Sequence, residues 1–168
     1  MAYRDQFQHA DEVIAHLNIV IPAIENPLLT TKYCGFVAVV AVTVYELAIK
    51  EIFCDFARRK LKVLGAFAES YFRRINGRVT LSDIREEYCA RYGKNYADKF
   101  KKNLDALTAT FLATHRRDIK SAYSNLVLWR HAFAHEGKVP ATVTYAEVVV
   151  AYQDGKEVIH SLAASIVR

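Results

Sequence analysis

Residues 36–42 read Phe-Val-Ala-Val-Val-Ala-Val, and residues 45–60 continue as Tyr-Glu-Leu-Ala-Ile-Lys-Glu-Ile-Phe-Cys-Asp-Phe-Ala-Arg-Arg-Lys. The first stretch is apolar on nearly every side, which is typical of a helix buried in the centre of a protein. Its β-branched residues would equally suit a strand. The second stretch, however, has helical periodicity, and no turn residue separates the two. We therefore predict one long central helix from about Thr31 to Leu64.

The rest of the chain also has helical patterns, so we predict an all-α, up-down helical bundle forming a single domain over residues 1–168. A first helix spans about Ala2 to Val20, and Pro22 and Pro27 break the chain after it. Two start signals, Thr80 with Asp83 and Thr144 with Glu147, resemble capping boxes. The remaining predicted segments are 80–93, which a glycine ends, and 96–134, which is interrupted near 116–118. An additional C-terminal helix of about 144–168 follows, with a predicted interruption at Asp154-Gly155.

The composition is that of an ordinary globular protein, with 52% hydrophobic and 24% charged residues. A net charge of +5 permits a nucleic-acid partner without establishing one. Basic side chains cluster at 58–62, 73–78, 99–102 and 115–120. A solvated helix face is the default interpretation of each cluster, and together they could form a rim that attracts phosphates.

Three cysteines, Cys34, Cys54 and Cys89, lie in apolar helical stretches and are predicted to be reduced and buried. The apolar run from Tyr33 to Tyr45 is shorter than the roughly 20 residues of a membrane span. The N-terminus lacks the pattern of a signal peptide. We expect a cytoplasmic protein without a membrane partner.

The segment that carries chemistry is residues 126–137, Leu-Val-Leu-Trp-Arg-His-Ala-Phe-Ala-His-Glu-Gly. An apolar helix of about 118–136 leads into Arg130, four residues separate Arg130 from His135, and a glycine follows. This arrangement resembles the Arg-x4-6-His signature of HEPN domains, in which a polar residue follows the Arg and a small residue precedes the His. His131 and Ala134 occupy those two positions.

The resemblance extends to the RiboL-PSP branch of that superfamily through the helix around Glu46 and through residues 68–77, and so covers most of residues 30–138. It implies a HEPN-type bundle, a homodimer, and metal-independent RNA cleavage by Arg130 and His135, with Glu46 and His131 in support. It also implies a role as a toxin or antiviral effector, with a cognate antitoxin or another defence-system protein as a further partner.

The chemistry explains why Arg and His are a useful pair. RNA carries its own nucleophile, the 2′-OH beside the scissile phosphate. Histidine can take that proton and protonate the leaving oxygen, because its pKa of about 6.5 lies near working pH. Arginine offers a permanently charged fork for the phosphate oxygens. Around an unbroken helix Arg130 and His135 lie about 140° apart, so a second chain is the simplest way to complete the site.

Other interpretations of these residues stay open. Arg130 could be an ion-pair partner of Glu46, and His135 could interact with the carbonyls at the helix end. His131 and His135, four residues apart, could bind a metal, but the Glu of an HExxH motif is absent. Trp129, Phe133 and Leu126 are interpreted as core or dimer-interface residues rather than as platforms for base stacking.

The alternative functions are a non-catalytic HEPN module that binds RNA, nucleotide or a partner protein, and a purely structural helical dimer. No glycine-rich phosphate loop, GxSxG elbow or cluster of acids for two-metal chemistry is found in the sequence. No cofactor or metal is expected.

Overall fold

The computed structural model describes residues 2–166, which form helices joined by short loops. The α-helices are α1 Gln8–Val20, α2 Pro27–Lys60, α3 Lys62–Phe72, α4 Ala90–Tyr92, α5 Lys94–His115, α6 Ile119–Glu136 and α7 Tyr145–Ile166. A 3-10 segment, Ala2–Phe7, precedes α1, another, Ile21–Ala23, follows it, and a π-helical segment, Asp83–Cys89, precedes α4. The described residues contain no strand, so the all-α prediction is confirmed.

The central helix α2 is a single helix, as predicted, but both of its predicted ends were wrong. It begins at Pro27 because the side chain of Asn26 accepts a hydrogen bond from Leu28 N at 2.9 Å, and proline suits a first helical turn. It ends at Lys60, where Leu61 adopts an extended backbone. α3 then folds back along α2, and Gly65 permits the close approach because a Cβ there would lie 2.6 Å from Arg58 Cγ.

Both start signals have the expected capping geometry. Thr80 N donates to Asp83 Oδ2 at 3.1 Å, and Asp83 N donates back to Thr80 Oγ1 at 3.1 Å. At the start of α7, Thr144 N donates to Glu147 Oε2 at 2.8 Å, and Glu147 N donates back at 3.2 Å. Each box pairs amide groups that the first turn of a helix leaves without intrahelical acceptors.

Three stacked tyrosines join α2, α6 and α7 in the centre of the bundle. Tyr45 stacks on Tyr123, with ring centroids 5.3 Å apart, and on Tyr152, at 5.8 Å. All three are buried, and each hydroxyl donates a hydrogen bond: Tyr45 to the carbonyl of Tyr152, Tyr123 to that of Val79, and Tyr152 to Asp11. We call Tyr45, Tyr123 and Tyr152 the tyrosine core.

The predicted interruption at Gly155 was wrong, since α7 runs unbroken through it. A Cβ at Gly155 would lie 2.4 Å from the hydroxyl oxygen of Tyr45. The glycine therefore serves the close packing of α7 on α2. Its neighbour Asp154 is buried and forms an ion pair with Arg117. Arg117 Nε lies 2.8 Å from Asp154 Oδ2, and Arg117 Nη2 donates a 3.0 Å hydrogen bond to Asp154 Oδ1, which ties the linker between α5 and α6 to α7.

All three cysteines are buried and free, as predicted. Burial raises the pKa of the Cys54 thiol to about 11 and that of Cys89 to about 12, so neither is a thiolate at neutral pH. Within residues 2–166, no helix is both long and apolar enough to cross a membrane.

Candidate active site at the end of α6

The helix α6 carries Arg130, His131 and His135 in its C-terminal half. It begins at Ile119 and is capped by Asp118, whose Oδ1 accepts hydrogen bonds from Lys120 N at 2.9 Å and Ser121 N at 3.3 Å. It ends at Gly137, which has a φ of +66°, a left-handed conformation that glycine adopts without strain. Both ends of the helix are therefore specified by local chemistry.

Contacts with α2 fix the C-terminal end of α6. Lys32 Nζ donates a 2.6 Å hydrogen bond to the carbonyl of Gly137, and a cation suits this end of the helix dipole. The ring of Phe133 fills the space above Gly35, where a Cβ would lie only 2.0 Å from the ring. The last turn of α6, which holds His135, is thus packed on α2 although His135 itself is exposed.

His131 and His135 lie side by side on one exposed face of α6. Their ring centroids are 4.4 Å apart, with the rings tilted by 51°. Four residues along a helix place two side chains on the same face, about one turn apart. Both imidazoles are exposed and could contact a polyanion. Within the described part of the chain, no group of three or more His, Cys, Asp or Glu side chains could hold a metal ion.

Arg130 is partly buried and turns toward the loop between α3 and the π-helical segment. Its guanidinium lies against Gly77, where a Cβ would sit 2.7 Å from Nη2 and 2.8 Å from Nη1. Asn76 and Gly77 both have positive φ values, 38° and 80°. The Asn76–Gly77 turn therefore gives Arg130 a flat backbone surface to lie on, and a side chain at residue 77 would obstruct it.

Glu46 holds this turn in place from α2. Its Oε2 accepts a 2.5 Å hydrogen bond from Gly77 N, and its Oε1 pairs with Lys50 Nζ at 2.6 Å. Among the described residues no direct ion pair joins Glu46 to Arg130, and the carboxylate reaches the guanidinium through Gly77. We call Glu46, Gly77 and Arg130 the arginine brace.

The four residues singled out from the sequence form two pairs in the structure, on different sides of α6. His131 and His135 form one pair, and Arg130 and Glu46 are linked on another side through Gly77. Gly77, Lys32 and Lys50 were not identified as site residues from the sequence. The Asn-Gly pair at 76–77 predicts a turn, but nothing in the sequence indicates that this turn contacts Arg130.

The helices of the site also expose large apolar side chains. Leu128, on α6, is 60% exposed, and Phe36 and Leu47, on α2, are 44% and 43% exposed. A second chain packed on α2 and α6 would bury these side chains.

A family model described as RiboL-PSP-HEPN matches residues 5–168, and so includes α7. No curated protein matches the chain. No solved structure matches it either.

Proposed function

The chain belongs to the RiboL-PSP-HEPN family, and from this premise we propose that it is a metal-independent endoribonuclease whose active site is shared by two chains. The family supports a nuclease or RNA-related module in general. The observation that carries the specific proposal is the exposed pair of His131 and His135 on the helix whose Arg130 is held by the arginine brace. An acid/base group and a fixed cation are the two elements that RNA cleavage requires.

In the proposed reaction, one His135 takes the proton of the 2′-OH, and the 2′-oxygen attacks the neighbouring phosphorus. The bond from phosphorus to the 5′-oxygen breaks, and the departing oxygen receives a proton from the His135 of the second chain. Arg130 stabilises the negative charge that develops on the phosphoryl oxygens. The products carry a 2′,3′-cyclic phosphate and a 5′-hydroxyl.

Helix geometry supports the sharing of the site between two chains. Arg130 lies against Gly77, whereas His135 is exposed about 140° further around α6. A two-fold axis beside α6 would supply each residue twice and bring one chain's His135 toward its partner's Arg130. Leu128, Phe36 and Leu47 are the apolar side chains that we expect such an interface to bury.

His131 and Glu46 have supporting roles in this proposal. Glu46 positions Arg130 through the Gly77 turn. His131, whose ring contacts that of His135, contacts RNA or tunes its neighbour. The biological part of the proposal is a toxin or antiviral effector, restrained by a cognate antitoxin or another defence-system protein.

The test is incubation of the purified protein with RNA in the presence of EDTA. We expect cleavage that EDTA leaves unchanged, products with 2′,3′-cyclic phosphate ends, and resistance of a DNA strand with the same sequence. A metal requirement or 3′-hydroxyl ends would contradict this mechanism and favour a metal held by His131 and His135.

Mixed dimers test the sharing of the site. Dimers of one wild-type and one His135→Ala chain should retain far less than half of the wild-type activity, because the second histidine is needed. Phe36→Asp should yield a monomer with little activity, whereas Val63→Asp, at an exposed position on α3, should remain dimeric and active. A monomeric wild-type protein would contradict the proposal.

A non-catalytic module that binds RNA, nucleotide or a partner protein is the second candidate. The observation in its favour is the divergence of Arg130 and His135 within one chain. Binding of RNA without cleavage, by a protein shown to be dimeric, would select it.

A further inference from the structure

A groove of about 700 Å³ lies between α6 and α7. It is on a different side of α6 from the arginine brace. The lining residues on α6 include Trp129, Asn125 and Ser121. The loop after α6 contributes Val143, and α7 contributes Val150. Its size falls within the usual range of pockets for small ligands, roughly 300–1,000 Å³. Nothing in the proposed cleavage chemistry uses this groove.

Trp129, the one tryptophan of the chain, is partly buried in the groove, and the exposed amide of Asn125 lies one helical turn away. An aromatic ring with apolar residues opposite is the environment in which unstacked nucleobases bind. An Asn amide both donates and accepts, which matches the hydrogen-bonding edge of a base. The side chains thus suit a flat group that is apolar on its faces and polar at its edge.

The acidic residues of the groove have partners within the chain. Asp118 caps α6, Glu147 caps α7, and Asp154 is paired with Arg117. These carboxylates disfavour a phosphate inside the groove but accept a neutral base. The guanidinium of Arg117, which is 46% exposed, lies at the edge of the groove, where a backbone phosphate outside it could be contacted.

The groove is next to the candidate active site. Trp129 precedes His135 by six residues, about 9 Å along the helix axis and about 120° around it. The wall that contains Val143 belongs to the loop that starts where the His135 helix ends. A nucleotide strand that passes His135 therefore has the groove within reach of a neighbouring base.

We propose that the groove between α6 and α7 is a subsite for one unpaired base beside the scissile phosphate, stacked on Trp129 and contacted at its edge by Asn125. This inference rests on the proposed function, since it assumes that RNA is the substrate. If the groove binds one unpaired base, the protein should prefer single-stranded RNA and should prefer certain bases at that position.

The experiment uses the His135→Ala variant of this chain, which we expect to bind RNA without cutting it, and the intrinsic fluorescence of Trp129. Short single-stranded oligoribonucleotides should quench this emission in proportion to binding, which fluorescence anisotropy of a labelled strand measures separately. A set of strands of the same length, each with one abasic nucleotide at a different position, locates the base that binds the groove. Only one of these strands should fail to quench the emission, and that strand should bind about tenfold more weakly.

Matched variants separate stacking from structure. Trp129→Leu should weaken binding by roughly tenfold or more, whereas Trp129→Phe, which keeps a flat ring, should restore most of it. Phe67→Leu, which removes an exposed aromatic ring on α3, should leave binding unchanged. Asn125→Ala should change which base is preferred, whereas the exposed Asn95 on α5 should be replaceable by alanine without effect.

The outcomes distinguish this inference from the proposed function. Cleavage by the wild-type protein with an unchanged Trp129 emission during binding would overturn the base subsite alone, and would leave the groove to a protein segment. Quenching that requires the base, in a protein whose wild-type form does not cut RNA, would support the subsite and overturn the nuclease.

Discussion

The tyrosine core and the motif end of α6 belong to the same bundle but differ in how far one chain completes them. In the tyrosine core, each hydroxyl has an acceptor within the chain, and Gly155 leaves room for the ring of Tyr45. At the motif end, both histidines and the neighbouring Leu128 are exposed. Substitutions in the first region should therefore reduce stability, and those in the second should reduce function.

This difference indicates where evolution could change the activity at little cost to the fold. Exposed side chains contribute little to the free energy of unfolding, whereas a buried hydroxyl that loses its partner costs about 1–3 kcal/mol. Four predictions test whether stability and function are separated in this way.

The largest expected effect is the loss of cleavage in His135→Ala and Arg130→Ala. Removal of a general acid/base typically lowers a rate by about 100- to 10,000-fold. Because His135 is exposed, its replacement should change the free energy of unfolding by less than about 0.5 kcal/mol. The measurement is RNA cleavage, together with circular dichroism and sizing to establish that the variants are folded and dimeric.

A control for this prediction is His16→Ala, at an exposed histidine on α1, which should keep full activity. Activity that survives in clean preparations of either Ala variant would show that the catalytic assignment is wrong.

The arginine brace gives the next effect. Gly77→Ala places a methyl group against the guanidinium of Arg130 and should lower the cleavage rate by about 10- to 100-fold, as expected for a displaced catalytic group. Gly93→Ala is a matched control, since Gly93 also has a positive φ, 131°, but its nearest neighbour is Asn95. Both variants should lose about 1–3 kcal/mol of stability through backbone strain, since both positions have a positive φ.

Only the comparison of activities therefore tests the brace. Equal cleavage by the Gly77→Ala and Gly93→Ala proteins would show that Arg130 does not depend on the turn. Glu46→Gln should have a smaller effect than Gly77→Ala, because the amide oxygen can still accept the hydrogen bond from Gly77 N.

How much the sequence could predict differs between the two regions. Periodicity and capping residues predicted the central helix, the other helices except α3, and the two Thr-based starts, because these signals act between residues close in sequence. The end of α2 at Lys60 and the continuity of α7 through Gly155 were missed. Gly65 packs against Arg58, and Gly155 packs against Tyr45. Such contacts between distant residues leave no local pattern.

The same limit applies to the candidate site. A two-residue motif singled out Arg130 and His135, and helix geometry predicted their divergence. The Gly77 turn lies 53 positions before Arg130 in the sequence and carries no charge that would suggest a pairing. Its contact with Arg130 depends on how α3 folds back on α2, which only the three-dimensional arrangement gives.

Two helical glycines give a third, smaller effect that concerns stability alone. Gly155→Ala should lower the free energy of unfolding by about 1–3 kcal/mol, because its Cβ would meet the buried hydroxyl of Tyr45, and this overpacking outweighs the gain in helix propensity. Gly65→Ala would meet the flexible side chain of Arg58 at 2.6 Å and the Cα of Arg58 at 3.2 Å, so α3 would have to shift slightly. We expect a smaller change than for Gly155→Ala, within about 1 kcal/mol, because the gain in helix propensity offsets part of this crowding.

Urea denaturation of the two glycine variants measures the difference. Cleavage per folded molecule should be the same in both, since neither residue contacts the motif. Equal stabilities would indicate that the tyrosine core tolerates repacking and is less constrained than its contacts suggest.

The smallest expected effect is a pH dependence of stability that originates at His160 on α7. Its Nδ1 lies 3.0 Å from the hydroxyl of Tyr3, and its ring also packs on Phe7. Burial lowers the pKa of His160 below its ordinary value of 6.5, and the charges of Arg4 and Lys156 lower it further. The fold thus favours the neutral imidazole. Its contribution to stability is complete above about pH 6.5 and is lost as the pH falls through the lowered pKa.

His160→Phe should remove this dependence while it keeps the aromatic packing against Phe7. The two proteins share every other titratable group, so the quantity to measure is the difference in unfolding free energy between wild type and variant, followed from about pH 8 to pH 5. We expect this difference to shift by a few tenths of a kcal/mol in favour of the variant as the pH falls, a small effect because the ring is only partly buried. A difference that stays constant over this range would mean that the contact between the N-terminal 3-10 segment and α7 does not sense protonation.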